Sequence, residues 1–181
     1  VAHIYCTDVF GIVGETFTFP VEINQKIEEI TWKKNKDKVA ERDGQNTPTY
    51  FTPLQDRSRL EENGCLTIFN LEKNDTGAYE LHYWDSLEDH YLNFVLTVLD
   101  PPSEPKISCS IRADILVLNC TSDFPRPLNY TWKFSNNPHT YQSQEISNPI
   151  KNFDDTEKAT CFIAFSQTEK SSEISLIECF P

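Results

Sequence analysis

An all-β chain folded as two tandem sandwiches is predicted by three observations. Short apolar–polar alternations broken by turn residues run through the whole sequence. A proline-rich stretch, Asp100-Pro-Pro-Ser-Glu-Pro105, divides it. A Cys–Trp–Cys spacing marks the second part. Strict alternation sets one face of a strand in a core and the other in water, as in Thr16-Phe-Thr-Phe-Pro-Val21, Cys65-Leu-Thr-Ile-Phe-Asn70 and Ala78-Tyr-Glu-Leu-His-Tyr83. Gly, Pro, Asn and Asp separate these segments at the spacing of a sandwich. No segment holds a capped helical period, and Asp154-Asp-Thr-Glu-Lys158 reads as a loop. Prolines 101, 102 and 105 cannot continue a strand ladder and favour a stiff spacer. The expected organisation is one sandwich over residues 1–99, a linker over 100–105 and a second sandwich over 106–181.

Composition bounds the function. The 181 residues carry a formal charge of −12, which argues against phosphate-backbone binding and against electrostatic docking on an anionic membrane. Nine basic and eighteen acidic residues leave 1–100 at −9; seven and ten leave 101–181 at −3. The richest apolar run, Phe94-Val-Leu-Thr-Val-Leu99, has a strand's length rather than that of a membrane span. The absence of methionine, an initiator included, reads as a processed or trimmed chain whose signal peptide or anchor lies outside it.

Six cysteines without a C-x-x-C pair, and three sequons at Asn74, Asn119 and Asn129, point to an oxidising, extracellular setting rather than to zinc or redox chemistry. In the second part Cys120, Trp132 and Cys161 have the spacing of an immunoglobulin domain, in which a strand-C tryptophan packs on the bridge between strands B and F. Cys109 and Cys179 fall on the first and last strands of the same part. Pairing 120 with 161 and 109 with 179 keeps the Cys–Trp geometry, which the other two pairings break.

The first part repeats the plan without the central bridge. Trp32 reads as the strand-C tryptophan, and Asp75-Thr-Gly-Ala-Tyr79 as the tyrosine corner before strand F. Leu81 stands where the second cysteine belongs, so Phe17 or Phe19 packing on Leu81 is expected to replace the bridge. The length between Trp32 and Asp75 leaves room for C′ and C″ strands, a variable-type arrangement. The second part, shorter, reads as constant-2-type. Cys6 and Cys65 remain; a staple from the N-terminal strand to strand E is expected, with free thiols or intermolecular pairing as the alternatives.

A variable-type domain lacking its central disulfide, a proline linker and a short domain with two bridges together resemble the E-rosette receptor family of lymphocyte adhesion molecules. The specific part is Trp32-Lys-Lys-Asn-Lys-Asp-Lys-Val-Ala-Glu41, similar to that family's C–C′ segment; Phe10-Gly-Ile-Val13 and Cys65-Leu-Thr-Ile-Phe-Asn-Leu71 also fit. Cys6, Cys65 and the stretch Asp85–His90 depart from the pattern. The resemblance implies a cell-surface ligand that gives adhesion and costimulation by binding the E-rosette receptor of T and natural killer cells.

Alternation defines the face that would do so. With Ile30 and Trp32 inward, Glu29, Thr31 and Lys33 point out; with Tyr79 and Leu81 inward, Glu80 and His82 point out. Leu92, Phe94 and Leu96 should face in, leaving Tyr91 and Asn93 out. By the resemblance, the contact residues are Glu29, Lys33, Lys34, Lys36, Asp37, Lys38, Glu41 and Phe51, with Asp43, Asp89, His90 and Asn93 in equivalent places. Residue physics alone favours a solvated, aggregation-blocking hairpin, so the resemblance carries the binding reading. The sequons all lie away from this face.

Catalytic signatures are missing. Five dispersed glycines make neither a phosphate loop nor a nucleophile elbow. His82 and His90 are expected to approach each other beside Asp89, as a surface pair rather than a metal site. The sequence therefore predicts no enzyme and no cofactor. A sister ligand for another receptor of the family, or a viral mimic, is the nearest alternative. A secreted decoy or carrier is the alternative of a different class.

Overall fold

The computed structural model describes residues 6–180. Residues 1–100 and 101–181 form two compact units. In the first, β1 (Cys6–Ile12), β3 (Glu29–Lys34), β4 (Asp37–Asp43), β5 (Thr49–Tyr50), β8 (Gly77–Trp84) and β9 (Asp89–Leu99) form a six-stranded sheet, in the order β1-β9-β8-β3-β4-β5. A smaller sheet holds β2 (Phe17–Thr18), β7 (Leu66–Ile68) and β6 (Ser58–Leu60), with β7 central. β1 runs parallel to β9, from Cys6 opposite Asn93 to Ile12 opposite Leu99; every other pairing is antiparallel.

The core follows from alternation. Ile30, Trp32, Tyr79, Leu81, Phe94 and Leu96 turn inward from the large sheet and meet Phe19, Leu66 and Ile68. Phe19, just past β2, takes the place of the missing bridge. Its ring lies 4.9 Å from that of Trp32, 4.8 Å from Tyr79 and 5.3 Å from Phe94, and Leu81 is fully buried beside this cluster. Such aromatic contacts add to the burial of their area. The Trp32 indole donates to Gly64 O at 2.9 Å. Gly64 has φ +92°, and a Cβ there would meet Ile23, Ile27 and Ile30 at 2.8–3.0 Å, so the turn requires glycine.

The tyrosine corner is built as expected: the Tyr79 hydroxyl donates to Asp75 O at 2.6 Å, and burial pushes its pKa upward. The Asp75 side chain, 2% exposed, accepts from Arg57 Nη1 and Nη2, at 3.0 and 2.7 Å, and from the Glu72 amide at 2.8 Å. That hydrogen bonding raises the Arg57 pKa.

The expected Cys6–Cys65 staple is not formed. Cys6 is exposed on β1 beside β9, whereas Cys65 is buried before β7 in the other sheet, its thiol donating to Val21 O at 3.3 Å. The parallel pairing with β9 holds Cys6 on the large sheet. Leu92 also departs from expectation: it sits opposite buried Leu81 but stays 40% exposed, being N-terminal to the stretch of β9 that β1 covers.

The second unit has a three-stranded sheet, β10 (Lys106–Arg112), β11 (Ile115–Thr121) and β14 (Glu145–Pro149), with β11 central. Its four-stranded sheet takes the order β13 (Asn137–Tyr141), β12 (Asn129–Phe134), β15 (Lys158–Phe165) and β16 (Thr168–Ser175). Disulfides join Cys109 to Cys179 and Cys120 to Cys161. Trp132 pairs with Cys161 in register and is fully buried. Residues 154–157 form a loop after a short 3-10 turn, Ile150–Asn152.

Candidate binding face

Strand register writes the outer face of the large sheet as three cross-strand rows. One holds Lys38, Lys33, Glu80 and Asn93; the next Glu41, Thr31, His82 and Tyr91; the third Asp43, Glu29, Trp84 and Asp89. A bulge between Trp32 and Lys33 lets Val39 and Ala40 both go inward, which keeps Lys38 level with Lys33. Both lysines of the rows thus lie near the β3–β4 turn, beside Glu80 and Glu41, while the other three carboxylates, Asp43, Glu29 and Asp89, share the far row. Lys38 pairs with Glu41 at 3.0 Å. Glu29, Thr31, Lys38, Glu41, Asp43 and Thr49 line a shallow depression of about 490 Å³.

The β3–β4 turn has positive φ at Asn35 (49°) and Lys36 (77°), the pattern of a two-residue type I′ hairpin. Asn35 supports it by accepting the Ala78 amide on Oδ1 at 3.0 Å. Lys36 is held, exposed, at the tip, and exposed Asp37 follows opposite Lys34.

At the other end, His82 Nε2 meets Asp89 Oδ1 at 2.8 Å, and the Tyr91 ring stacks on the imidazole at 4.4 Å with 3° between planes. Asp85 organises the β8–β9 turn. Its Oδ1 accepts the Glu88 and Leu87 amides at 3.0 Å, and its Oδ2 meets His90 Nε2 at 2.8 Å. The Glu88 amide, the His90 ring and the Leu87 amide hold the Asp85 carboxyl down at about 2. Since the folded value is depressed, the turn's contribution is present above the ordinary carboxylate value of about 4 and is lost as pH falls through about 2. Protection of the Leu87 and Glu88 amides, taken as the intrinsic exchange rate at each pH over the observed rate, is expected to fall across that window and to be lost at every pH in Asp85→Ala; protection unchanged across the window in the parent chain would contradict this.

No protein-family profile matches the chain. Over 185 residues it is 27% identical to lymphocyte function-associated antigen 3 of Homo sapiens, covering 98% of this chain and 72% of that one. The chain resembles lymphocyte function-associated antigen 3. A crystal structure of the CD2-binding domain of CD58 (lymphocyte function-associated antigen 3) matches with a TM-score of 0.55 at 22% identity, covering 94% of this chain and 97% of that one, a likeness of fold. The human hepatic and glial cell adhesion molecule is 26% identical over 157 residues, 78% of this chain and 37% of that one. These relatives are adhesion proteins of the immunoglobulin superfamily, and the all-β fold is immunoglobulin-like. The sequence likeness to lymphocyte function-associated antigen 3 extends over both units.

Of the twelve face residues expected from sequence, Glu29, Lys33, Lys38, Glu41, Asp43, Asp89 and Asn93 stand on the three rows, with Lys36 and Asp37 at the adjoining turn. Phe51 is half-buried just beyond β5, its amide donating to Val39 O at 3.0 Å. Two residues leave the face. Lys34 sits opposite buried Tyr79 and donates from Nζ to the Asn74 carbonyl, and burial lowers its pKa. His90 sits opposite Tyr83, stacked on it at 4.5 Å, so it lies on the other side of the hairpin from His82. The expected approach of the two histidines is therefore excluded by the two-residue period.

Trp84, 39% exposed between Glu29 and Asp89, was not anticipated, although extending the outward series 80, 82 would have reached it. Asn74 is exposed in the 3-10 turn Lys73–Asp75, and Asn119 and Asn129 lie on β11 and β12, so no sequon stands on the rows. Among the described residues no group of three or more His, Cys, Asp or Glu side chains is arranged to hold a metal ion, and no helix is long and apolar enough to cross a membrane.

Proposed function

We propose that the chain is a cell-surface adhesion ligand whose β4-β3-β8-β9 face binds the E-rosette receptor, CD2, giving adhesion and costimulation. The observation that carries this reading is one mixed-charge, sequon-free sheet face, its lysines at one end and three carboxylates in the row at the other, in a chain similar to lymphocyte function-associated antigen 3. Exposed ion pairs add little net affinity, because both groups give up water. They add orientation and fast encounter, which suits brief contacts multiplied between opposed membranes. Residues 1–99 are read as a variable-type domain, β4 and β5 supplying C′ and C″. Residues 106–181, with three and four strands and two bridges, are read as constant-2-type beyond a linker at 100–105. An anchor outside this chain would hold it on the plasma membrane.

Surface plasmon resonance against the CD2 ectodomain tests the assignment, with Lys36→Asp plus Lys38→Asp as the variant. Fast, weak binding that falls at least ~10-fold in the variant is expected. Binding within twofold of the parent would remove the face while keeping the partner. A folded, correctly bridged chain that does not bind would move the partner to another receptor of the family.

A further inference from the structure

We propose that the β8–β9 end of the face is a seat for a cationic side chain of the partner, an arginine guanidinium lying on Trp84 and Tyr91 and paired with Glu29 and Asp89. This rests on the binding-face reading above and names what the partner must bring to it.

Four exposed large apolar side chains, Trp84, Leu87, Tyr91 and Leu92, fall in this one hairpin, and two of them, Trp84 at 39% and Tyr91 at 67% exposure, stand on the rows of the face. The other two tryptophans, Trp32 and Trp132, are completely buried. Tryptophan and tyrosine exposed together mark the places where interfaces gain most of their affinity. The site is also held in shape. Asp89 fixes His82, and Tyr91 lies flat on the imidazole. A partner group therefore meets a Tyr91 ring whose rotamer is already restricted.

Charge selects the occupant. Glu29 and Asp89 flank Trp84 in register, with Asp43 next along the same row, while the lysines of the face lie two rows away. An apolar plug would strip water from those carboxylates without replacing it. A guanidinium stacks on the negative face of an aromatic ring and offers a planar fork to a carboxylate, so it satisfies both. Lys33 and Lys38 at the other end then meet partner carboxylates, and the polarity fixes which way round the partner docks.

Two measurements test the seat. In surface plasmon resonance against the CD2 ectodomain, Trp84→Ala is expected to weaken binding at least tenfold, mainly through faster dissociation, with Trp84→Phe intermediate. Trp84→Ala within twofold of the parent, while Lys36→Asp plus Lys38→Asp loses binding, would overturn the seat and leave the proposed function standing.

The second measurement needs no receptor, so it decides the seat even if the parent chain fails to bind CD2. A capped arginine amide is titrated into the ¹⁵N-labelled chain. Saturable shifts are expected at the Trp84 indole N–H and at the Glu29 and Asp89 amides, absent with a capped leucine amide and absent in Glu29→Gln plus Asp89→Asn. Shifts no larger than those from sodium chloride of equal ionic strength would overturn the proposal.

Discussion

Phe19→Ala is expected to cost the first unit about 4 kcal/mol, within the range for deleting a buried aromatic ring. Phe19 is wholly buried and touches the rings of Phe17, Trp32, Tyr79 and Phe94, so its loss opens a cavity between the two sheets and removes four aromatic contacts together. In most sandwiches of this plan a disulfide crosses that space; here packing alone does so. With whole-domain stabilities of about 5–15 kcal/mol, such a loss brings the unit close to unfolding. Urea unfolding followed by tryptophan fluorescence should show the first unit's transition moving to lower denaturant, while that of the doubly bridged second unit stays in place. A loss under about 1 kcal/mol would mean that the neighbouring rings collapse into the gap.

Asp75→Ala is expected to cost about 3 kcal/mol, the low end for breaking a buried ion pair. The low end applies because the Arg57 side chain keeps 22% of its surface and can recover some water. The substitution also strips the Glu72 amide of its acceptor, where the turn leads into the tyrosine corner. Arg57→Ala plus Asp75→Ala is expected to cost less than the sum of the single changes, since neither charge is then left alone; additive losses in a double-mutant cycle would show that the pair is not coupled.

Much of this arrangement was legible in the sequence because one periodicity and two landmarks write it there. Trp32 and Tyr79 fixed where β3 and β8 cross the core, and counting by two from them placed Glu29, Lys33, Glu80 and His82 outside. Lys34, grouped with the face by likeness, falls by the same count on the side of Trp32, opposite Tyr79, and its amine reaches the Asn74 carbonyl. Leu92 obeys the period but finds no cover. His90 was grouped with the face by likeness rather than by count, and the count is what holds. Cysteine pairing failed differently. Cys6 and Cys65 were matched by elimination, whereas bridging depends on which sheet each strand joins, and that long-range choice leaves no local trace. The Arg57–Asp75 pair joins residues eighteen positions apart and carries no spacing signal, though a carboxylate at a buried corner demands a cation from somewhere.

The parallel pairing of β1 with β9 has a kinetic consequence. The β3–β4 and β8–β9 hairpins join near neighbours in sequence and can form early, whereas β1 cannot zip onto the sheet until β9, more than eighty residues later, has emerged from the ribosome. Until then the outer edge of β9 offers unpaired amides and carbonyls to any passing strand. β1 therefore acts as the closing seam of the first unit: the last strand laid down in time although it comes first in the chain, and the one that ends the interval in which a half-made sheet can recruit the wrong neighbour.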